Sequence, residues 1–445
     1  MKLFNKTAAA FLLLPLCGWC VELEVVLPPT AVHDADNNGF VSPLAWNGRQ
    51  LFSGSVVPPA GKETGINLQT LVRQGQRDRQ GVWRWQETVI DRNTLNDKWH
   101  NSPSLGLDRD GYLHVAYNMH NMPWQYMVSQ RPGDIRGFLF RGQGISEAER
   151  RTVQYDVRYP FNGSGTASIP GNQVTYPVFF NAPDGRLYLT YRYAMRPKLG
   201  WFKRSLAGGL AVYSEASRSW QQLGGKVAIS SSEADHPNGL ETLATRPVIY
   251  EEGWTFSPIQ LAFDAQGGMH MTWLWRQGTP GREFVQPSYA WSPNGGQSFH
   301  RSDGSRYKLP ISRAASEKLV ADQKQLFLGL SRITASPGGE LAVLLHPIDG
   351  NRVIMERRAG RWQRPAPAPF AAQQLVYDRK GWLWAFASGL QVLRRDRVDD
   401  RWQHLVKGEG GMCHPQVLPT GQDFMIFMRG CDTPEVAIFR LQTGT

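Results

Sequence analysis

The sequence predicts an all-β fold, a seven-bladed β-propeller forming a single domain over residues 21–445. Three observations predict it. Helical patterning is nearly absent, and short alternating strands after glycine-containing turns stand in its place. One such turn-and-strand unit appears six times along the chain. The later copies are 43 residues apart from Gly338 to Gly381, and a second unit repeats 40 residues apart from Trp362 to Trp402. A period of that length with several strands in it is what one propeller blade requires.

Residues 1–20 come first and stand apart from the fold. Lys2 and Lys6 precede an apolar run from Ala8 to Leu16, and small residues follow around Gly18. This reads as a secretory signal peptide, too short to cross a bilayer. Leu16 and Trp19, ahead of Cys17 and Cys20, do not suit a lipobox. No other apolar run approaches membrane length, so the mature chain is expected to have no membrane span and to be secreted or periplasmic.

The repeated unit then reads D-R-D-G-Y-L-H-V-A-Y from Asp108, P-D-G-R-L-Y-L-T-Y from Pro183 and D-A-Q-G-G-M-H-M-T-W from Asp264. It returns as S-P-G-G-E-L-A-V-L-L from Ser336, D-R-K-G-W-L-W-A-F from Asp378 and, more weakly, P-T-G-Q-D-F-M-I-F from Pro419. Trp-Gln pairs after charged turns mark a second unit at Trp85, Trp220, Trp362 and Trp402. The stretch from Ser292 to Phe299 resembles the Asp-box hairpin of sialidase-type propellers, with Asn294 in place of Asp. Gaps of 74 and 82 residues between the first three glycine turns imply an unmarked blade or a long insertion in each. Residues 137–172, rich in Gly, Arg and polar side chains, are expected to be such an insertion. About seven blades use up the mature chain.

The formal net charge is +11, and removing the two leader lysines leaves 11 − 2 = +9, spread along the chain. In an exported protein this argues against nucleic acid and for an acidic polysaccharide or cell surface; a basic balance also serves solubility alone. Only Cys413 and Cys431 remain after the leader, and in an oxidising compartment they are expected to pair. The competing reading is a metal site of Cys413, His414 and Cys431. The chain is expected to act as a monomer.

Chemistry concentrates between Lys98 and Ser129. A strand from Tyr112 to Tyr117, entered through the Asp108–Gly111 turn, has His100 in the polar segment before it and His120 in the one after it. Tyr176 and Arg192 flank the next strand unit in the same way. If consecutive blades are related by rotation, these four side chains converge on one face near the central channel. Glycoside hydrolysis ordinarily needs two carboxylates, which this set does not supply. β-Elimination from a uronic acid suits it better. Arginine neutralises the carboxylate that acidifies the C5 proton, and His and Tyr serve as base and acid. A sialidase-like hydrolase and a non-catalytic carbohydrate-binding propeller remain the alternatives.

At these residues the chain resembles the BNR-repeat polysaccharide lyases, the ulvan lyases on seven-bladed propellers. The resemblance rests on H-N-S-P-S-L-G-L-D-R-D-G-Y-L-H-V-A-Y-N-M-H, V-T-Y-P-V-F-F and D-G-R-L-Y-L-T-Y-R. It implies that His100 and Tyr176 share the acid and base roles, that Arg192 neutralises the uronate, and that His120 binds substrate or supports the pair. It implies no cofactor for catalysis, and a structural Zn or Ca ion in some relatives, whose ligands here are unknown. The segment from Tyr193 to Lys198 is bulkier and more basic than the Gly/Ser-rich turn expected there.

Further substrate-binding candidates are Asn101 beside His100, Arg276 at the end of a later strand, His236 in a D-H-P-N-G stretch, and Trp124 and Trp201 as rings for sugars. His114 lies inside its strand, and His270 occupies the equivalent repeat position. Both read as scaffold histidines, and Tyr112 and Tyr117 as strand aromatics.

Overall fold

The computed structural model describes residues 21–33, 40–59, 68–94, 100–122, 124–142, 174–194, 206–227, 246–277, 283–322, 324–396, 399–408 and 410–444. The leader, most of the expected insertion, Trp201 and His236 lie outside them. Among the described residues there is no α-helix, and no helix long and apolar enough to cross a membrane. The strands gather into seven antiparallel sheets, one per blade, as the repeats predict.

Blade 1 holds Leu44–Trp46, Gln50–Val57, Leu68–Arg77 and Trp83–Thr94. Blade 2 holds Ser104–Leu107, Leu113–Ala116, Tyr126–Arg131 and Asp134–Phe140. Blade 3 holds Val174–Asn181, Leu187–Ala194, Leu206–Ser214 and Ser219–Leu223. In blade 4, Trp254–Phe256 and Gln260–Phe263 both pair with Met269–Gln277, followed by Val285–Ser292 and Glu317–Lys318. Blade 5 is Arg332–Ala335, Leu341–Leu345, Val353–Arg358 and Arg361–Trp362. Blade 6 is Gln374–Tyr377, Leu383–Ala387, Gln391–Arg395 and Trp402–Lys407. Blade 7 combines Met412–Thr420, Asp423–Gly430 and Glu435–Gln442 with Glu22–Ala31 from the start of the fold.

That last pairing closes the ring. Glu22 faces Gln442 and Thr30 faces Val436, antiparallel, so the first strand supplies the outer edge of the last blade. The register slips between Val25 and Leu27 and again between Leu27 and Thr30, the stretch that holds Pro28 and Pro29. Proline donates no ladder hydrogen bond, so an outer edge with bulges is where a strand tolerates it. First strands of neighbouring blades contact one another around the channel from blade 4 through blades 5, 6, 7, 1 and 2 to blade 3. The tryptophans of the Trp-Gln pairs fall in the fourth strands of blades 1, 3, 5 and 6.

The glycine turn leads from the first strand to the second. Gly111, Gly185, Gly267, Gly339, Gly381 and Gly421 share a φ between 77° and 83° that side-chain-bearing residues rarely adopt. The strand that follows in blades 2, 5 and 6 is buried at every position, because neighbouring blades cover both of its faces. The core is accordingly divided into wedges. One apolar cluster fills each of the seven gaps between blades, including the gap between blades 7 and 1.

The turn aspartate doubles as a latch. In blade 2, Tyr112 N donates to Asp108 Oδ1 at 2.8 Å, and His114 Nε2 meets Asp108 Oδ2 at 3.2 Å. The other ring nitrogen of His114 bonds the Tyr126 hydroxyl. Blade 4 repeats this with Asp264, His270 and Tyr289, at 3.2 Å and 2.9 Å from the two ring nitrogens. In blade 6 the repeat position is Trp384, whose indole donates to Asp378 Oδ2 at 2.8 Å. His114 and His270 are therefore scaffold, as their repeat positions suggested. The Ser292 to Ser298 hairpin is likewise self-contained, with Ser298 N donating to Asn294 Oδ1 at 2.9 Å.

Cys413 and Cys431 are joined, with their Cα atoms 5.0 Å apart, which leaves neither sulfur for a metal. Replacing both with Ser should cost about 3 kcal/mol from the loop of 18 residues they close, read as a lower Tm that reductant reproduces in the parent protein. The latch predicts a pH dependence. Burial holds the His114 imidazole below its ordinary value of 6.5, against the opposing pull of Asp108 and Glu215. The unfolded chain thus binds this proton more readily, so stability should be full above 6.5 and fall as pH drops below it. In urea unfolding at several pH values, His114→Gln should lower stability by about 2 kcal/mol at pH 8 and flatten that slope.

Candidate active cleft

The cleft is built where the connection between the second and third strands of blade 2 meets the edge of blade 3. After the second strand of blade 2, Asn118 turns the backbone left-handed with φ 52°. The short strand His120–Met122 then adds to the edge of Val174–Asn181, with His120 opposite Thr175. Thr175 is opposite Arg192 on its other side. Residues directly opposite in an antiparallel sheet point to one face, so His120, Thr175 and Arg192 form a row across three strands.

Tyr176 would point the other way in a regular strand, because neighbours alternate faces. Two features break that alternation. A bulge lies between Thr175 and Val178, and Tyr176 itself has φ 57°, a conformation costing about 1–2 kcal/mol for a residue with a Cβ. With the backbone turned, the Tyr176 hydroxyl lies 3.0 Å from His100 Nε2. The His100 and His120 rings stack with centroids 3.5 Å apart and planes 11° apart. The Arg192 guanidinium sits over the Tyr176 ring, 4.7 Å from its centroid, and Phe40 meets that ring edge-on at 5.1 Å. His100, His120 and Tyr176 are half-buried, whereas Arg192 is buried. Its Nη1 is directed at the Phe256 carbonyl at 3.4 Å and the Thr255 hydroxyl at 3.5 Å, both on blade 4.

The structure therefore brings together the four residues that the sequence singled out. Arg276 is close by: it stands directly opposite Thr255 across the sheet, its guanidinium 5.8 Å from the Phe284 ring. Two expectations need correction. Trp124 is fully buried, packed edge-on against Tyr191 at 5.0 Å, so it presents no face to a sugar. Asn101 is also fully buried; its carbonyl accepts from Asn118 N at 3.3 Å and ties the His100 segment to the turn before His120. Trp201 and His236, outside the described residues, remain expectations. Phe40, Thr255 and Phe256 were not anticipated. They come from blades remote in sequence, and no local motif marks them.

Among the described residues no three His, Cys, Asp or Glu side chains gather as metal ligands would.

Fold and cleft together define a seven-bladed propeller with a His–Tyr–Arg cleft on its channel face. The family model described as BNR repeat-containing family member matches residues 67–368, about two thirds of the chain, and the protein belongs to that family. Among solved structures it is similar to polysaccharide lyase Uly1, with TM-score 0.64 and 12% identity over 91% of this chain and 90% of the other. It is similar also to a PL25 ulvan lyase bound to a glucuronate–rhamnose sulfate oligomer, with TM-score 0.59 and 9% identity over 94% and 95% of the two chains. At such identities these likenesses speak for the fold. No curated protein matches the sequence closely enough to count as a relative.

Proposed function

We propose that the protein is a polysaccharide lyase that cleaves a uronic-acid-containing, ulvan-like acidic polysaccharide by β-elimination. The observation that carries this reading is the 3.0 Å contact between His100 Nε2 and the Tyr176 hydroxyl, with Arg192 over the same ring. Two proton-transfer groups in hydrogen-bond contact beside a fixed cation are what the reaction asks for. Arg192 faces the uronate carboxylate and offsets the negative charge that grows there as the C5–H bond breaks. One member of the His100–Tyr176 pair takes the C5 proton. The C4–C5 double bond forms as the C4–O4 bond breaks, and the departing O4 takes a proton from the pair. No net proton is gained or lost, and the direct contact lets the pair reset by passing a proton between its members. His120, stacked on His100, fixes the ring that must reach the sugar.

The fold shared with the two lyases supports this reading, as does the basic balance of the chain. We place the protein outside the cytoplasm on the strength of its leader, and Arg276 beside Arg192 as a further substrate contact. A sialidase-like hydrolase would use a Tyr nucleophile with a carboxylic acid and an arginine triad, and the four converging residues include one arginine and no carboxyl group.

Incubation with ulvan and other uronate polymers should raise ultraviolet absorbance as an unsaturated uronate forms. His100→Ala and Tyr176→Phe should each cut the rate by about 10²–10⁴-fold. Arg192→Ala should cut it by about 10²–10³-fold with the fold intact by circular dichroism. New reducing ends without absorbance would replace the lyase by a hydrolase. Binding without turnover in parent and variants alike would leave a carbohydrate-binding propeller.

A further inference from the structure

The row that crosses the cleft does not stop at Arg192. Arg192 is opposite Gly208 on the third strand of blade 3, and Gly208 is opposite Ile249 in the short strand Ile249–Tyr250. Ile249 in turn bridges in parallel to Ile311. The third strand of blade 3 starts on the cleft face, as the first strand does with Tyr176. Tyr250, one step past Ile249, pairs with Ala207, closer to that start than Gly208, so Ile249–Tyr250 and the parallel segment at Ile311 both run toward the cleft face. Arg313, two residues past Ile311, therefore emerges on the face that carries His100, Tyr176 and Arg192.

Arg313 is held there from two sides. Its backbone N donates to Glu251 Oε2 at 2.6 Å, and Ala314 N donates to the same oxygen at 3.2 Å. Its guanidinium lies over the Trp254 ring, 4.2 Å from the centroid. Trp254 precedes Thr255, whose hydroxyl is 3.5 Å from Arg192 Nη1, so adjacent residues of one strand steady two guanidiniums on the same face. Three strand spacings separate Arg192 from Ile311, about 14 Å at the backbone. Both arginines reach the same short strand across that gap, which places them within the span of one bound oligosaccharide.

Two other guanidiniums stacked on rings are satisfied within the chain. Arg301, 4.2 Å over the Tyr307 ring, donates to the Ser305 hydroxyl at 3.1 Å and the Ala315 carbonyl at 2.8 Å. Arg395, over Trp402, donates to both oxygens of Glu356 at 2.7 Å. Arg313 has the ring alone. Its Nε is buried without an acceptor, and its side chain donates to none of the described residues. Glu251, the carboxylate that touches this residue, is occupied by the two backbone N–H groups. Arg313 is half-buried, and the indole covers one face of the ion while leaving its in-plane donors to fork onto a carboxylate or a sulfate. A guanidinium fixed flat on a ring, with no acceptor among the described residues, is organised in advance for one from outside.

We propose that Arg313, laid on Trp254, is a second anion-binding position of the cleft, which holds the anionic group of a sugar neighbouring the one engaged by His100, Tyr176 and Arg192. The anion is a carboxylate or a sulfate ester. The identity of the polymer rests on the lyase reading; the existence of the anion site does not.

The test is calorimetric titration of the full chain with ulvan and with chemically desulfated ulvan, in a Tyr176→Phe background that leaves the polymer intact, alongside product absorbance from the parent protein. Arg313→Gln should weaken ulvan binding about tenfold and Arg313→Lys about threefold, because an ammonium keeps the charge and loses the fork. Neither change should alter the fold by circular dichroism, since the side chain donates no hydrogen bond to the described residues. With Tyr176 restored, Arg313→Gln should raise KM on ulvan by a similar factor, more than it lowers kcat. Loss of equal size on both polymers assigns the anion as carboxylate, and loss confined to native ulvan assigns it as sulfate ester. Unchanged affinity in Arg313→Gln would overturn the anion site whether or not the parent cleaves ulvan, and a lowered Tm beside it would leave the ring contact as packing alone. Weakened binding in the variant with no unsaturated product from the parent would keep the anion site and remove the lyase. Failure of the parent protein to bind or cleave either polymer would overturn both.

Discussion

Everything in this molecule depends on a closed ring. The chain itself links each blade to the next, and the ring is sealed within blade 7, where Glu22–Ala31 zips onto Glu435–Gln442 by hydrogen bonds. If that seam opened, the apolar cluster between blades 7 and 1, with Val26, Leu51, Phe427 and Ile438, would meet water. The disulfide between Cys413 and Cys431 is in the same blade, at the channel end of its first two strands. Covalent and hydrogen-bonded reinforcement thus coincide where the chain itself provides no continuity.

Closure matters to the cleft because no single blade contains it. His100 precedes blade 2, Tyr176 and Arg192 belong to blade 3, and the anchors of Arg192 belong to blade 4. The strand His120–Met122 crosses from the blade 2 connection onto the edge of blade 3 and fixes two of these parts together. Within that frame one residue departs from regular geometry. The left-handed backbone at Tyr176 costs free energy that a strand has no reason to lose, and its return is the phenol turned toward His100.

Much of this was legible in the sequence because a propeller repeats. A glycine held at positive φ with a strand after it recurs along the chain, and an aspartate latch recurs at three of these turns, so the repeat and the scaffold roles of His114 and His270 follow from position. His100, His120, Tyr176 and Arg192 were legible because each stands at a strand end within a recurring unit. Trp124 and Asn101 were misjudged for a related reason: position next to a polar motif indicates proximity to the cleft, not the direction of a side chain. Thr255 and Phe256 could not be read at all, since they meet Arg192 only when blade 4 packs on blade 3. Contacts between blades have no local signature, because each is set by two segments far apart in the chain.

The correction at Trp124 bears on how the cleft keeps its shape. The residue lies two positions beyond the His120–Met122 strand and packs on Tyr191, which adjoins Arg192. It therefore touches the chain on either side of the row formed by His120, Thr175 and Arg192. A bulky ring buried there restrains both ends of that row at once, and a close-packed core transmits small displacements rather than absorbing them. Trp124 is thus a support of the strands that carry His120 and Arg192, and on the lyase reading it acts through them without meeting the substrate.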